Sequence, residues 1–399
     1  MSTQQNKNSL SEVLAERHQR GQYFTTNGLL RESVFGMVRN KPDVVLEPSV
    51  GQGDLVSHFK SMNCEADFHM YEIDAAIKPL AGIHASDIQY EDFLEADIDI
   101  RYDTIIGNPP YVKSGTGNLY LAFVEKCYRL LAPRGELVFI VPSDFMKITG
   151  SGRIINEMMQ SGTFTDVFYP HDESLFADAS VDVIVFRFCK DDTLPRKVAV
   201  NGLLKCLVNT NGVLTFMDEE PTGMITLSEY FDVFVGIVSG KESVFKNELH
   251  GNIGVMNGNG VVDKYIILQE FPTANDELDA YMNAHKAILM SRKIRKFNEG
   301  NWFQWGALRN AKAIKDNVGN DCIYVSNLTR SNVVAFRGKV QYFGGSLLMM
   351  MPKREIDLQA VVEYINGDGF KSNYMYSGRF KIGHKQLCNG LFRPRGTQN

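Results

Sequence analysis

The sequence predicts an α/β fold in which a doubly wound, mainly parallel sheet with an antiparallel last strand precedes a C-terminal mixed α+β domain. Up to Asp191, short β-branched runs alternate with amphipathic helical patterns, as they do in α/β sheets. The last two such runs, residues 165–169 and 181–188, are separated only by a short loop, which favours antiparallel pairing. From Leu227 the chain is rich in Gly, Asn and aromatic residues, with many short β-like runs and few long helices.

The elements of the first part follow from the spacing of their apolar residues. Apolar residues at helical spacing predict helices over the ranges 10–20, 28–38, 118–131 and 153–160. β-Branched and aromatic residues predict strands over the ranges 44–49, 68–71, 104–106, 136–141, 165–169 and 181–188. We expect Pro133 and Gly135 to end the third helix, and residues 195–220 to form short strands and turns.

Composition bounds the class of protein. A chain of 399 residues is long enough for two domains, and we predict domains over residues 1–220 and 221–399. No run of about 18 apolar residues predicts a transmembrane helix, and the polar first residues do not resemble a signal peptide. The six cysteines are scattered without a Cys-x-x-Cys pair, which argues against a metal site and fits a reducing compartment. We therefore expect a cytoplasmic protein that binds neither a membrane nor a metal.

The most informative motif is the loop Asn108-Pro109-Pro110-Tyr111, which follows a buried apolar strand and a turn at Gly107. The prolines stiffen the loop at a strand's carboxyl end, where α/β sheets usually bind ligands. Asn108 Oδ1 and the Pro109 carbonyl can accept two N–H bonds from an exocyclic amine, and Tyr111 can stack on its ring. The motif thus predicts a site for a flat amine-bearing molecule; a structural Pro-Pro turn with a core tyrosine is the alternative.

Two other strand ends predict a nucleotide-like cofactor. Glu47 ends the first strand and is followed by Gly51 and Gly53, which let a backbone approach a ligand closely. Glu72 ends the second strand, where nucleotide-binding folds hold a ribose diol. The full Gly-x-Gly-x-x-Gly fingerprint is missing, which disfavours a dinucleotide. A cofactor that contains adenosine without phosphate fits better.

Positive charge is concentrated in the second half of a chain whose net charge is −5. Residues 286–315 carry eight Lys or Arg residues against Glu299, and no acidic residue follows Asp368. Two basic segments favour a polyanion-binding face, although most runs of charged residues simply form a solvated surface. The aromatic run at residues 301–305 fits a core strand as well as a base-contacting surface.

Taken in order, these motifs resemble the γ class of amino-methylating DNA methyltransferases, the TaqI type, over most of the chain. The motifs that carry the resemblance are residues 21–25, 46–53, 71–74, 91–94, 108–111 and 231–240. Two residues depart from the family pattern: Thr26 stands where a proline is usual, and Asp54 stands where an apolar or aromatic residue is commoner.

The resemblance implies a Rossmann-like methyltransferase sheet and assigns roles to individual residues. The cofactor would be S-adenosyl-L-methionine, bound by Tyr23, Thr25, Glu47, Ser49, Gly51, Gly53, Glu72, Ile73, Asp92, Asn108 and Pro110. The catalytic residues would be Asn108, Pro109, Pro110, Tyr111 and Phe176. Among the basic residues, the expected DNA contacts are Arg292, Lys293, Arg295, Lys296, Arg309, Arg379, Lys381 and Lys385.

The resulting expectation is methyl transfer to N6 of an adenine that is flipped out of double-stranded DNA, within a specific sequence, as in restriction-modification or in solitary host or viral methylation. Residues 1–220 would be the catalytic domain, and residues 221–399 would recognise the target in a monomer or weak dimer. Three alternatives stay open: methylation of cytosine N4, methylation of a protein glutamine at N5, and a DNA-binding module without turnover. The Pro-Cys nucleophile that C5 methylation requires does not occur.

Overall fold

The structure is a computed structural model that describes residues 21–114, 117–176, 181–190, 197–258, 260–376 and 378–394. The helix predicted over residues 10–20 lies outside the described residues. The chain divides after Pro221 into two compact units.

A ten-stranded sheet forms the centre of the first unit. The strands of this unit are β1 (Val44–Glu47), β2 (Asp67–Tyr71), β3 (Ile88–Gln89), β4 (Tyr102–Gly107), β5 (Lys113–Ser114), β6 (Gly117–Asn118), β7 (Leu131–Pro142), β8 (Thr163–Phe168), β9 (Val183–Cys189), β10 (Lys197–Val200), β11 (Leu203–Thr210) and β12 (Val213–Met217). The sheet has the order β12-β11-β10-β8-β9-β7-β4-β1-β2-β3, and β5 pairs separately with β6.

Strand directions confirm the predicted sheet. Parallel pairs join β3 to β2, β2 to β1, β1 to β4 and β4 to β7. Strand β9 is antiparallel to both of its neighbours, β7 and β8, as the short loop before it predicted. The sheet nevertheless continues further than expected, because β10 pairs parallel with β8, and β11 and β12 follow as antiparallel hairpin strands.

Helices cover both faces of this sheet, and strand β7 shows how its residues are divided between them. Leu137, Phe139 and Val141 belong to the core beneath one pair of helices, whereas Val138 and Ile140 belong to the core beneath the other pair. This alternation is the two-residue period of a strand that is buried on both faces. The first pair is Leu119–Leu130 and Gly152–Ser161; the second pair is Gly28–Met37 and Asp54–Ser61.

The structure corrects the predicted boundary between the third helix and β7. The helix ends at Leu130, and β7 begins at Leu131, so Pro133 and Gly135 lie inside the strand. The pairing with β4 shifts register between Tyr102 and Thr104, which marks a bulge. Gly135 suits this bulge, because a Cβ there would lie 2.8 Å from the Ala132 carbonyl oxygen. Proline and glycine therefore mark an irregular strand start here rather than a helix end.

A buried ion pair ties together the strands near this bulge. The Glu136 carboxylate accepts from Arg187 Nε at 2.6 Å and from Thr104 Oγ1 at 3.1 Å. It also accepts from the backbone N–H groups of Arg39 and Asn40, just after helix Gly28–Met37. One side chain on β7 thus connects β4, β9 and the chain segment that leads into β1.

The second unit is a mixed α+β structure, as predicted. Its strands are β13 (Ile225–Thr226), β14 (Phe231–Val235), β15 (Ile253–Met256), β16 (Val262–Tyr265), β17 (Asp321–Ser326), β18 (Leu328–Thr329), β19 (Ala335–Lys339), β20 (Leu347–Pro352), β21 (Met375–Tyr376), β22 (Arg379–Lys381) and β23 (Leu391–Phe392). Its helices are Leu227–Tyr230, Glu242–Phe245, Asp276–Ala284, Lys286–Met290, Ala311–Asp316, Leu358–Asn366, Asp368–Lys371 and His384–Cys388.

An antiparallel sheet in the order β14-β20-β17-β19 is the largest sheet described in this unit. Helix Leu358–Asn366 shares one core with it, in which Val361 and Ile365 join Ile323, Val325 and Met350. In neither unit does a described helix have the length and apolar character needed to cross a membrane.

Candidate active site

A cavity of about 590 Å³ opens in the first unit where β1, β2 and β4 end. The loops that follow these three strands supply Pro48, Ser49, Gly51, Glu72, Ile73, Asp74, Asn108 and Pro110 to its wall. Residues 21–24 supply a second side of the wall, and residues 91–94 a third. The cavity therefore lies at the carboxyl edge of the parallel strands, where the topology of α/β sheets leaves room for a ligand.

Most of the predicted cofactor residues meet at this cavity. Tyr23, Ser49, Gly51, Glu72, Ile73, Asp92, Asn108 and Pro110 line it. Thr25 and Glu47 line a recess of about 30 Å³ that shares Tyr23, Ser49, Gly51 and Asn108 with the larger cavity. The wall also contains residues that the sequence did not predict: Gly21, Gln22, Phe24, Pro48, Asp74, Ile77, Glu91, Phe93, Leu94, Val112, Leu119 and Phe123. Several of them adjoin a predicted residue, but Leu119 and Phe123 lie on an amphipathic helix that carries no ligand-binding signal.

The two glycines after β1 have different roles. Gly51 (φ +56°) lines the cavity, and its N–H donates to Glu72 Oε2 at 2.9 Å. Gly53 (φ +88°) lines neither cavity; a Cβ at this position would lie 2.1 Å from Ile83 Cδ1. This glycine is needed for close packing before helix Asp54–Ser61, and its contact with the cofactor stays a prediction.

Glu72 joins the ends of β1 and β2 while it faces the cavity. Its carboxylate accepts from the N–H groups of Gly51 and Asp74, each at 2.9 Å. Burial raises the pKa of this carboxyl, and the two backbone donors oppose that rise. The next residue, Ile73, is 68% exposed and lines the same cavity. A carboxylate and an apolar side chain are thus presented side by side.

Glu47 is a buried carboxyl at the end of β1. Burial raises its pKa from 4.5 to about 8, and the nearby Glu72 adds to the rise. The Ser49 N–H, 3.3 Å from Glu47 Oε1, acts in the opposite direction. Glu47 is therefore largely protonated at neutral pH unless a cation binds beside it.

The orientation of the Asn108 carboxamide is determined by its hydrogen bonds. Asn108 Nδ2 donates to the Tyr23 carbonyl oxygen at 2.8 Å and to Thr25 Oγ1 at 3.1 Å. A backbone carbonyl can only accept, so the amide nitrogen must face residues 23–25 and Oδ1 must point away from them. The Tyr111 hydroxyl donates to this Oδ1 and also lies 3.1 Å from the Ile140 carbonyl oxygen.

Three aromatic rings pack around the loop. Tyr111 stacks on Tyr23 with ring centroids 5.4 Å apart, and it meets Phe176 edge to face at 6.3 Å. Tyr23 and Phe176 are 5.7 Å apart. The structure therefore brings the two predicted aromatic residues together and adds Tyr23, for which only cofactor contact was expected. Pro109 is buried, whereas Pro110 lines the cavity.

The basic residues of the second unit fall into two groups. Arg292 is buried and donates to the carbonyl oxygens of Leu289, Ser239, Trp302 and Gln304, so its assignment as a DNA contact is wrong. Arg295 is exposed but donates to Gln304 Oε1 and to the Trp305 carbonyl oxygen. The other predicted DNA contacts are wholly or partly exposed: Lys293, Lys296, Arg309, Arg379, Lys381 and Lys385.

The aromatic run at residues 301–305 belongs to the core. Trp302, Phe303 and Trp305 are buried with Phe245 and Tyr265 in one apolar cluster. Trp305 Nε1 donates to the Ile266 carbonyl oxygen at 2.7 Å, which satisfies its only polar atom. Of the two interpretations of this run, the structure supports the core.

The sheet with its antiparallel β9 and the cavity at the carboxyl edge define a Rossmann-like methyltransferase fold. Residues 56–176 match the Eco57I restriction-modification methylase family. The chain is also similar to the Type II methyltransferase M.HincII of Haemophilus influenzae, with 24% identity over 203 residues that cover 45% of this chain and 39% of the relative. A Chlorella virus protein, the Type II methyltransferase M.CvrRI, is 31% identical over 142 residues, 32% of this chain and 37% of the relative.

Among solved structures, the Type IIL restriction-modification enzyme MmeI in complex with DNA is similar over 95% of this chain and 65% of that chain, with a TM-score of 0.58 and 10% identity. At this identity the likeness concerns the fold alone. The chain spans about two fifths of the length of the first curated relatives it matches. The family match and the curated relatives confirm the resemblance to restriction-modification DNA methyltransferases as a group. The assignment to the γ class stays a prediction.

Proposed function

We propose that this chain transfers a methyl group from S-adenosylmethionine to N6 of an adenine in double-stranded DNA. The observation that carries the proposal is the fixed direction of the Asn108 carboxamide at the edge of the cavity. With Nδ2 held by Tyr23 and Thr25, Oδ1 is left as an acceptor. The Tyr111 hydroxyl donates to it in this structure, and an amine hydrogen of the base would replace that hydroxyl.

Hydrogen-bond acceptors at these positions would make an exocyclic amine a better nucleophile. Its nitrogen is a weak nucleophile, because the lone pair is delocalised into the ring. Oδ1 of Asn108 and the carbonyl oxygen of Pro109 would accept both amine hydrogens and favour a tetrahedral nitrogen. Such preorganised acceptors stabilise the transition state more than the planar ground state. A strong general base is not required, since the nitrogen becomes acidic only as it gains the methyl group.

The residues of the cavity fit the proposed cofactor. Its volume of about 590 Å³ is within the usual range for cofactor sites. Glu72 offers a carboxylate suited to hydroxyl groups, and Ile73, Phe93 and Leu94 offer apolar surface for an aromatic ring. Glu47, in the adjoining recess, would hold a polar amino-acid group, while the Thr25 hydroxyl beside it orients the Asn108 carboxamide. When bound there, S-adenosylmethionine supplies an electrophilic methyl group.

A base inside a duplex cannot reach Asn108, so the target base would be flipped out of the stack. Tyr111 and Phe176 carry the aromatic surface for it, and Tyr23 lies against both rings. The second unit would bind the duplex, with Lys293, Lys296 and Arg309 among its exposed cations. The relatives are restriction-modification methyltransferases by name, which supports DNA as the substrate.

The test is transfer of labelled methyl groups from S-adenosylmethionine to duplex DNA, followed by digestion and identification of the methylated nucleoside. N6-methyladenine is expected. N4-methylcytosine would keep DNA methylation but overturn the choice of base, and label on protein glutamine would overturn DNA as the substrate. Asn108→Ala should lower turnover by orders of magnitude and leave cofactor binding, measured by calorimetry, largely unchanged. Activity within a few-fold of wild type would refute the role of the carboxamide.

A further inference from the structure

A loop of the second unit, residues 327–334, joins β17 to β19, two neighbouring strands of the antiparallel sheet. Its first part forms β18, which pairs with β22 so that Leu328 lies opposite Lys381. We call residues 328–333, Leu328-Thr329-Arg330-Ser331-Asn332-Val333, the Arg330 loop. None of these residues was among the predicted DNA contacts.

The backbone of the Arg330 loop is anchored at both ends by asparagine side chains. Before the loop, the Asn327 N–H donates to the Ser346 carbonyl oxygen at 2.9 Å, and Asn327 Nδ2 donates to the Gly345 carbonyl oxygen. After the loop, Asn366 Oδ1 accepts from the N–H groups of Val334 and Ala335, and Asn366 Nδ2 donates to the Ala335 carbonyl oxygen at 2.8 Å. A loop held in this way presents its side chains in a defined geometry.

Two hydroxyl groups shape the loop itself. Thr329 Oγ1 accepts from the Ser331 N–H at 3.0 Å, and Ser331 Oγ accepts from the Val333 N–H at 3.2 Å. Each bond closes a small turn of the type that serine and threonine form with nearby backbone. Arg330 lies within the first turn, and Lys371 Nζ supports the second by donating to the Asn332 carbonyl oxygen at 3.3 Å.

Apart from the Thr329 and Ser331 hydroxyls, which bond to the loop backbone, the side chains of the loop are exposed to solvent. Leu328 and Val333 are 55% and 61% exposed, and Arg330 is exposed as well. With the described residues Arg330 forms no ion pair or side-chain hydrogen bond, in contrast to Arg292, Arg295 and Arg393, which donate to carbonyl oxygens. Asp368 and Lys371 line one hollow with Arg330 and lie 3.4 Å from each other, and Lys381 lies opposite Leu328 on β22, the strand that also carries Arg379.

This set of side chains matches the edges of base pairs. Arginine donates two parallel hydrogen bonds to O6 and N7 of guanine, asparagine pairs with N6 and N7 of adenine, and apolar groups contact the methyl group of thymine. The flanking lysines suit phosphates, which position a protein on DNA without reading its sequence. We propose that the Arg330 loop reads base edges of duplex DNA and that Arg330 specifies a guanine. This inference rests on the proposed function and adds a sequence-reading element to it.

The experiment compares the full chain with Arg330→Ala, Arg330→Lys and a matched control, Arg337→Ala. Arg337 is also an exposed arginine of the second unit and lies 3.9 Å from Asp321. Each protein is checked for folding by thermal unfolding and for cofactor binding. Two readouts are then taken: the sequence that is methylated in cellular DNA, and the sequence enriched from a pool of randomised duplexes by binding alone.

We expect wild type and Arg337→Ala to share one recognition sequence. Arg330→Ala should lose discrimination at a single guanine position by roughly tenfold or more. Arg330→Lys should also lose it, because lysine lacks the guanidinium fork. An unchanged sequence in Arg330→Ala would overturn the inference. Equal weakening on all duplexes, with a shallower salt dependence, would overturn it too, because that is the signature of a residue that binds phosphate.

The two readouts separate this inference from the proposed function. If wild type enriches a sequence but methylates no DNA, the proposed function fails, and the change of sequence in Arg330→Ala still decides the role of the loop. If wild type methylates a defined sequence that Arg330→Ala leaves unchanged, only the inference fails. If wild type neither enriches nor methylates a sequence, both are overturned.

Discussion

At the scale of single residues, the Asn108 carboxamide depends on two acceptors that lie 83 and 85 positions earlier in the chain. The Tyr23 acceptor is a backbone carbonyl and cannot be removed by substitution. The Thr25 acceptor is a hydroxyl and can be removed. Thr25 is therefore the position at which the orientation of the Asn108 carboxamide can be tested separately from the presence of this carboxamide.

We predict that Thr25→Val will lower turnover roughly five- to tenfold, the effect of losing one ordinary hydrogen bond, and will change cofactor affinity little. Thr25→Ser keeps a hydroxyl and should retain most of the activity. Single-turnover methyl transfer and calorimetry measure the two quantities. A weaker cofactor affinity with unchanged turnover would instead assign Thr25 to the cofactor, as the family resemblance implied.

The raised pKa of Glu47 predicts that the folded protein loses stability as pH rises. The pKa of its carboxyl is about 8 in the folded protein and close to the ordinary value of 4.5 in the unfolded chain. Between these values the folded state holds more protons than the unfolded state, so this residue lowers stability as pH rises from about 5 to 8. In wild type the loss should level off above pH 8, once Glu47 is ionised in both states.

Glu47→Gln removes this titration. Its free energy of unfolding should therefore improve relative to wild type as pH is raised from 5 to 8. Trp302 and Trp305, the two tryptophans of the chain, lie in the second unit, so tryptophan fluorescence is the wrong probe. Hydrogen exchange in peptides from β1 and β4 measures the first unit directly. A difference between the proteins that stays constant across this pH range would contradict the raised pKa.

At the scale of elements, the Glu136–Arg187 pair links β7 to β9 inside the sheet. Replacing one member of a buried pair leaves the other charge without a partner in a poorly solvated place. We predict that Glu136→Gln will lower the stability of the first unit by about 3 kcal/mol. Hydrogen exchange of β7 and β9 peptides measures the change.

The matched comparison for Glu136→Gln is Arg153→Gln at the helix surface. Arg153 pairs with Glu125 and Glu157, but its side chain is 65% exposed. When the arginine is replaced, water can therefore solvate the two carboxylates that it leaves without a partner. This substitution should have far less effect. Equal effects of the two substitutions would mean that burial does not decide the strength of these pairs.

Helices and strands were predictable from the sequence where their signal is local, whereas contacts between distant segments were not. The apolar run at residues 137–141 is enough to predict most of β7, because a short run rich in β-branched and aromatic residues is a local signal for a buried strand. Pro133 and Gly135 led to a wrong boundary, because both residue types are found at helix ends and in strand bulges. The hydrogen bonds between Tyr23 and Asn108, and between Arg292 and four carbonyl oxygens, correspond to no periodic pattern in the sequence. They join segments that only the folded chain brings together.

At the scale of the whole molecule, the residues that line the cavity at the carboxyl edge of the sheet all lie between Gly21 and Phe123, in the first unit, whereas the exposed cations Lys293 and Lys296 lie in the second. We predict that Lys293→Ala combined with Lys296→Ala will weaken binding to all duplexes. The salt dependence of log K should flatten by about one unit for each phosphate that the variant no longer neutralises. Cofactor affinity should not change.

Lys246→Ala is the control for this double variant, because Lys246 is also exposed in the second unit but is paired with Asp263 at 2.7 Å. Fluorescence anisotropy of a labelled duplex at several salt concentrations gives the slopes. Slopes that are the same for wild type and the double variant would remove Lys293 and Lys296 from the DNA surface. The search would then turn to the cations near the C-terminus.

The bonding of Arg292 has a consequence for how this protein could change over evolution. Its guanidinium donates to main-chain carbonyl oxygens of Leu289, Ser239, Trp302 and Gln304. A carbonyl oxygen is the same whichever side chain its residue carries, so mutations at positions such as Ser239 or Gln304 leave the acceptor itself in the chain. A change of side chain at these positions accordingly leaves in place the acceptors through which Arg292 holds the segments together. A scaffold of this kind lets exposed side chains nearby, such as Lys293 and Lys296, change while the fold that carries them persists.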